Sequence, residues 1–276
     1  MRTLTLRPQI SRAICLAVAC ATVWWFATVT SQLAGYGHVR MYETATAPQK
    51  IKIVRDSYVD LDAKSILTVS CIRSACHLRL LQGRAAFHIV HDASRSVTVD
   101  LDDHGSVTDV GTDFAVSLEE QGRADVIVRD GVIQLDATQR IGSGLHARTQ
   151  VVANSPVLDG EIGSIERDAT GVHVRVSPLP IAEIERRMMW THLHLQFSGE
   201  PLEQAVKEVN RYTSRTIEVD PSVGRDRSVQ GLYKLGDLSG FVENLLAVYP
   251  DLMRRDNGTG PILITTKQSQ HRQPAR

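Results

Sequence analysis

Residues 77–135 constrain the fold more than any other stretch, because apolar side chains recur there at every second position. Residues 85–89, 97–101 and 114–118 show this alternation, which is the period of a half-buried β-strand. Dipeptides that end in glycine separate the runs, and the glycine supplies the positive φ that tight turns need. They are Gln82-Gly83, His104-Gly105, Gln121-Gly122 and Asp130-Gly131. Strands at this spacing predict an all-β sandwich or barrel.

The alternation begins near residue 51 and loosens between residues 136 and 180, where glycine and proline become frequent. We therefore predict one all-β domain over residues 51–180. Its fold class is jelly-roll or sandwich-like, and a short β-helix is the alternative, because both give the same alternation.

Beyond residue 180 the period changes to that of amphipathic helices. After a short helical connector at residues 181–189, helical spacing occurs at residues 201–212 and 238–249. Strand-like runs surround these segments, and Asn257-Gly258 separates the last two runs as a hairpin turn would. The order β-α-β-β-α-β-β predicts a small α+β domain over residues 190–267. The polar residues 268–276 are predicted to be a disordered tail.

The N-terminal segment predicts a membrane anchor. Residues 13–30 contain no charged side chain, and as a helix they would span roughly 27 Å, close to the thickness of a bilayer core. Arg2, Arg7 and Arg12 precede them, so residues 1–12 should be cytoplasmic and the chain from the linker at residues 31–50 onward should lie outside the cytoplasm. A cleaved signal peptide has the same charge layout and remains the alternative.

Two cysteines fit that orientation. Cys71 and Cys76 flank a short loop between two strand-like runs, and a disulfide is permitted outside the cytoplasm. A bond between them would staple a hairpin. The alternative is a pair of free thiols.

The sequence gives little evidence of a catalytic or metal-binding site. His91 falls in the turn after the strand that carries His88, so the two do not share a face, and His192 and His194 share one without a nearby carboxylate. We therefore expect no metal, no cofactor, no catalytic residue and no enzymatic activity. The 31 basic and 31 acidic residues cancel, which argues against nucleic acid as a partner.

Several motifs resemble the FecR family of periplasmic regulators. Residues 78–99, LRLLQGRAAFHIVHDASRSVTV, are similar to the centre of that family, and residues 110–116, VGTDFAV, resemble its Gly-Thr-x-Phe-x-Val signature. Residues 42–44 and 59–65 are similar to its opening. Residues 190–212, which include Asn210-Arg211-Tyr212, resemble its C-terminal region, itself similar to the Secretin and TonB short N-terminal domain.

The resemblance implies a single-pass inner-membrane protein with most of the chain in the periplasm. It implies two partners, the signalling domain of a TonB-dependent outer-membrane receptor in ferric-chelate uptake and an extracytoplasmic-function sigma factor. Twelve residues before the anchor cannot bury a core, so we expect the sigma factor to be reached through another cytoplasmic protein. The alternative function is a periplasmic protein- or envelope-binding module without a transcriptional role. No partner-binding residue is identified, although an exposed strand edge of the α+β domain is the expected surface.

The resemblance also singles out Gly111 and Thr112. In some family members the chain cleaves itself between such residues, because a hydroxyl next to a strained peptide bond can attack the preceding carbonyl. The alternative is that Gly111 makes a turn and Thr112 caps a strand. Arg84 stands where the family commonly has glutamate, which we expect to be a surface or packing change.

Overall fold

A computed structural model describes residues 39–267, except residues 73, 110, 120–121 and 142–147. Its first half, here the β module, contains thirteen strands. These are β1 (Arg40–Glu43), β2 (Gln49–Val54), β3 (Ser57–Leu61), β4 (Ile66–Cys71), β5 (Ala75–His88), β6 (Ser96–Asp100), β7 (Gly105–Asp109), β8 (Asp113–Glu119), β9 (Arg123–Asp130), β10 (Val132–Ile141), β11 (Arg148–Leu158), β12 (Glu161–Asp168) and β13 (Gly171–Pro178).

The thirteen strands form two sheets that share β5. The first sheet has the order β1-β4-β5-β6-β7-β10-β11, and the second has the order β2-β3-β5-β8-β9-β12-β13. β5 pairs with β4 and β6 along its first half and with β3 and β8 along its second half. All pairings in the module are antiparallel except that of β5 with β6. The architecture is therefore a sandwich, since a β-helix would stack its strands in parallel.

One apolar core lies between the sheets, because alternate side chains of both point inward. Leu78, Leu80 and Leu135 come from the first sheet, and Phe87 and Phe114 come from the second. The two phenylalanine rings stack with centroids 4.9 Å apart. Each such fully buried side chain stabilises the fold by about 1.5–3 kcal/mol.

Three features of the β module differ from the prediction. β1 lies within the segment predicted as a linker at residues 31–50, and it escapes detection because four residues carry no alternation and are held only by pairing with β4. Gln82-Gly83 is not a turn, because β5 runs on through it from one sheet to the other. Residues 136–178 form β11, β12, β13 and the end of β10 although the apolar alternation weakens there. β11 and β13 are edge strands of the two sheets, and most side chains of β11 are exposed.

The second half, here the α+β module, is built from three helices and five strands. They are α1 (Ile181–Met188), β14 (His194–Pro201), α2 (Leu202–Val209), β15 (Ile217–Val219), β16 (Ser228–Lys234), α3 (Leu238–Val248), β17 (Leu252–Arg255) and β18 (Ile262–Thr266). β14 pairs with β16, and β18 lies between β15 and β17. Apolar faces of the helices fill the core, with Leu202, Ala205 and Val206 on α2 and Phe241 and Leu245 on α3.

The predicted anchor at residues 13–30, the cytoplasmic residues 1–12 and the tail at residues 268–276 lie outside the described residues. Within residues 39–267, none of the described helices is long and apolar enough to cross a bilayer.

Candidate functional site

The two modules meet at the turn between β3 and β4. The carboxylate of Asp62 in this turn is completely buried. It accepts hydrogen bonds from Arg84 Nε at 2.7 Å and from the Tyr212 hydroxyl at 2.8 Å. Arg211 Nη2 lies 3.3 Å from the same carboxylate. Asp62 and Arg84 belong to the β module, whereas Arg211 and Tyr212 follow α2. We call residues 62–65, Arg84 and residues 208–212 the joint.

The end of α2 is bonded to the backbone of the turn as well. Lys64 Nζ donates to the carbonyl oxygen of Asn210 at 2.8 Å, where the helix dipole favours a cation. Arg211 Nη2 donates to the carbonyl oxygen of Ala63 at 2.8 Å. Lys64 has a φ of 55°, which is uncommon for a residue with a side chain. Such strain persists where the surroundings determine the conformation, and it concentrates at functional sites.

Arg84 connects the two acidic groups of the joint. Its guanidinium pairs with Asp62 and with Glu208 on α2, and Nη2 also donates to the Tyr212 hydroxyl at 2.8 Å. Burial opposes its charge, but the carboxylates of Glu208 and Asp62 outweigh burial and hold the pKa of Arg84 well above its usual value. Burial also raises the pKa of the Tyr212 phenol. The hydroxyl therefore stays protonated and donates to Asp62.

A glycine places Arg84. Gly83 has a φ of 85°, and a Cβ there would lie 2.2 Å from the Ser65 hydroxyl oxygen. That hydroxyl accepts a bond from the Arg84 amide at 2.9 Å and donates to the Ala63 carbonyl at 3.1 Å. Gly83, where β5 passes from one sheet to the other, therefore holds both the turn at residues 62–65 and Arg84 in position.

Apolar contacts and a cleft surround the joint. Ala63, Ala86 and Ile127 of the β module share a buried cluster with residues of the α+β module, among them Trp190. A cleft of about 380 Å³ opens between the modules, and Arg84 and Trp190 line it. Its size is that of many small-ligand sites, but each charged side chain that lines it already forms an ion pair within the protein.

A second charged cluster lies at the end of β5. The ring of His88 is held between two carboxylates, with Nδ1 3.0 Å from Asp113 and Nε2 3.3 Å from Asp60. Tyr58 stacks on the ring with centroids 4.3 Å apart. Burial alone would lower the pKa of His88, but bonds to Asp113 and Asp60 raise it above its ordinary value. Arg129 also pairs with Asp113. The cluster ties β3, β5, β8 and β9 together.

The predicted cysteines are joined in the structure. Cys71 ends β4 and faces Cys76 in β5, and a disulfide with an S–S distance of 2.14 Å links them. The bond closes the hairpin at the far end of the first sheet from the joint.

Gly111 and Thr112 have a packing role. Gly111 has a φ of 108°, and a Cβ there would lie 2.6 Å from Cβ of His91. Thr112 is buried, and its carbonyl oxygen accepts a bond from the Ile89 amide at 3.0 Å. The close approach of His91 explains why position 111 is a glycine, and the bond from Ile89 holds the backbone of Thr112 in place. These contacts do not test self-cleavage between the two residues.

The histidines do not converge on a metal site. His192 lies in a short 3₁₀ helix, and Nδ1 of His194 lies 2.8 Å from its carbonyl oxygen. Within the part of the chain that the structure describes, no three His, Cys, Asp or Glu side chains are grouped to hold a metal ion.

The joint was missed from the sequence because the residues that it takes from the β module lie more than 120 residues before those that it takes from the α+β module. Arg84 was expected to be a surface or packing change, yet its side chain is only 20% exposed and pairs across the modules. Asn210-Arg211-Tyr212 was noted only as part of a motif. A signal did exist, since an acid in an apolar strand end, as in residues 59–63, requires a partner when it is buried.

Comparison with known proteins supports the same architecture. The FecR protein family model matches residues 40–134. No curated protein matches the chain. Two crystal structures of a candidate anti-sigma factor from Parabacteroides distasonis ATCC 8503 share its fold at 15% sequence identity, with TM-scores of 0.62 and 0.60. Each covers 83% of this chain, and the chain covers 100% and 99% of theirs.

At this identity the likeness shows the fold alone. A match over 83% of the chain extends beyond the β module and includes the α+β module. The FecR family model matches residues 40–134, which lie within the β module, and this part of the chain is similar to a FecR domain.

Proposed function

We propose that the chain is a FecR-type signal-transducing regulator, anchored in the inner membrane with most of its residues in the periplasm. In this proposal it senses the signalling domain of a TonB-dependent outer-membrane receptor and regulates an extracytoplasmic-function sigma factor. The FecR domain and a fold shared with a candidate anti-sigma factor support this role.

The observation that carries the proposal is the joint. Its buried charges are all paired across the two modules, and breaking one partner of such a network is costly. A protein that binds one module and disturbs the joint would therefore also change the conformation of the other module. A binding module that only captures a ligand does not need this coupling.

We place the receptor on the open edge of β16. The sheet of β14 and β16 has only two strands, so an extended segment can add to it through backbone hydrogen bonds. A groove of about 310 Å³ runs between β16 and α3, lined by Val229, Phe241 and Val248 among others. Val248 is exposed and would receive an apolar side chain of the added strand.

Binding tests the proposal directly. The full chain, purified in detergent, is titrated by calorimetry with signalling domains of the TonB-dependent receptors from the same genome. We expect one domain to bind, and Val248→Asp to weaken binding at least about tenfold because it places a charge in an apolar groove. Leu158→Asp is the matched control, since Leu158 is a similarly exposed apolar residue on β11 of the β module. Equal loss in both variants would contradict the placement on β16.

Transcription tests the regulatory half. Deleting the gene should change the output of a reporter driven by the sigma factor that answers the bound receptor. No receptor domain binding, no change in any such reporter and capture of envelope material instead would favour the envelope-binding alternative.

A further inference from the structure

Thr44 bonds the segment after β1 to the turn of the joint. Its hydroxyl donates to the carbonyl oxygen of Asp62 and accepts a bond from the Ser65 amide at 3.0 Å. The Thr44 amide donates to the Ser65 carbonyl at 3.0 Å, and the Lys64 amide donates to the Ala45 carbonyl at 2.8 Å. The side chain of Thr44 is buried. The turn is thus held by Thr44 on one side and by the end of α2 on the other.

β1 has little else to hold it. It is an edge strand of four residues that pairs only with β4, from Arg40 opposite Val69 to Glu43 opposite Ile66. Met41 is exposed, and Tyr42 alone packs against the core, where it is partly buried. Short edge strands with few buried side chains open at low free energy. The bonds at Thr44 therefore contribute a large share of what keeps β1 in the first sheet.

We propose that Thr44 couples the joint to β1, so that the α+β module controls how firmly the chain entering at residue 39 is fixed to the β module. When α2 holds Asp62, Lys64 and the Ala63 carbonyl, the turn presents its backbone groups to Thr44. When the bonds between the turn and the end of α2 break, the turn relaxes from the unfavourable φ of Lys64. Thr44 then loses its hydrogen-bond partners in the turn. Detachment of β1 would then increase the number of residues between the β module and the predicted anchor. The biological meaning rests on the proposed function, but the coupling does not.

Hydrogen exchange of the full chain measures the coupling without any receptor. Tyr212→Phe removes a hydroxyl that bonds Asp62 and Arg84 and keeps the buried ring in place. We expect amides in residues 41–45 to exchange about tenfold faster in this variant, the effect of one lost bond to a charged group on local opening. Because coupling is reciprocal, Thr44→Val should accelerate exchange in residues 207–212.

Tyr249→Phe is the matched control. Its hydroxyl donates to the Ser228 carbonyl at 2.8 Å within the α+β module and away from the joint, so exchange in residues 41–45 should not change. Unaltered exchange in β17 and β18 shows that the Tyr212 variant is folded. The proposal is overturned if Tyr212→Phe accelerates only residues 207–213, or if both tyrosine variants affect β1 equally. Those outcomes would leave receptor binding untouched as a separate question.

Discussion

Replacing Asp62 by asparagine tests whether the joint holds the two modules together. The carboxylate is completely buried and lies within 3.3 Å of three donor groups, those of Arg84, Arg211 and Tyr212. Asparagine keeps the shape but loses the charge. It also presents an NH₂ group, which cannot accept a bond, to at least one of those donors. Arg84 and Arg211 would be left with Glu208 as the one acid of the joint.

Removing one partner from a buried ion pair costs about 3–5 kcal/mol. Native domains are stable by only about 5–15 kcal/mol, so this loss is large. The network lies between two modules whose cores are largely separate. Losing it should therefore weaken the association of the modules more than the stability of either core. The wild-type chain should unfold in one transition, and the variant should unfold in two.

Urea unfolding followed by two probes resolves the difference. Trp190 is 3% exposed in the α+β module and lies near Arg84, with 5.9 Å between the guanidinium carbon and the ring centroid. Replacing Trp24 and Trp25 by phenylalanine leaves it as the only tryptophan. Its fluorescence then reports on the α+β module, while far-ultraviolet circular dichroism is dominated by the strands. The two midpoints should coincide in the wild type and separate in the variant.

The control is Asp251→Asn. Asp251 forms a bidentate pair with Arg227 on the surface of the α+β module, and exposed pairs contribute little to stability. This variant should unfold as the wild type does. If Asp62→Asn lowered the free energy of unfolding no more than Asp251→Asn, or if its two probes still coincided, the modules would be held by apolar contacts and the reasoning above would be wrong.

Three further predictions concern features outside the joint. Bonds to Asp113 and Asp60 raise the pKa of His88, so the stability that the charged ring contributes is fully present below about pH 6.5 and is lost as pH rises through the folded-state pKa; the free energy of unfolding of the wild type should therefore fall on the alkaline side. His88→Gln should abolish that slope, and an unchanged slope would refute the role of His88 and its two carboxylates. Reducing the bond between Cys71 and Cys76 should lower the free energy of unfolding by about 2 kcal/mol, as expected for so short a loop, and no shift of the urea midpoint with reductant would contradict it. Because the backbone at Gly111 needs a positive φ and no Cβ, Gly111→Ala should lower the thermal midpoint and the wild type should run as one band on a denaturing gel; two bands that Thr112→Ala abolishes would show self-cleavage instead.

Local patterns predicted much of the secondary structure. The helical spacing at residues 201–212 contains α2, the spacing at residues 238–249 contains α3, and the hairpin at Asn257-Gly258 joins β17 to β18. These signals lie within a few residues of one another, and each is a direct consequence of backbone geometry. The mainly β character follows from the same local alternation.

The sheet that each strand joins could not be predicted from the sequence. The dipeptide at Gly83 has the composition of a turn, but the conformation it supplies is used to bend one continuous strand between two sheets. β9 and β10, joined at Gly131, belong to different sheets and do not pair. Which sheet a strand enters depends on partners far away in the chain, so alternation alone does not determine it.

The joint shows the same limit in its chemistry. Asp62, Arg84 and Tyr212 are each ordinary residues in their local context, and only the fold brings them within hydrogen-bond distance. The apolar setting of Asp62 indicates that a buried acid there needs a partner, but the single sequence does not identify which residues supply it.

The length of β5 has a consequence for how the chain tolerates insertions. Its fourteen residues carry a disulfide cysteine near one end, Arg84 in the middle and His88 at the other end. Because successive side chains of a strand face opposite ways, removing one residue before Gly83 would turn the cysteine and the arginine to opposite sides relative to their present partners. Engineered changes of length by one residue should therefore be rejected anywhere between the cysteine and the arginine of β5.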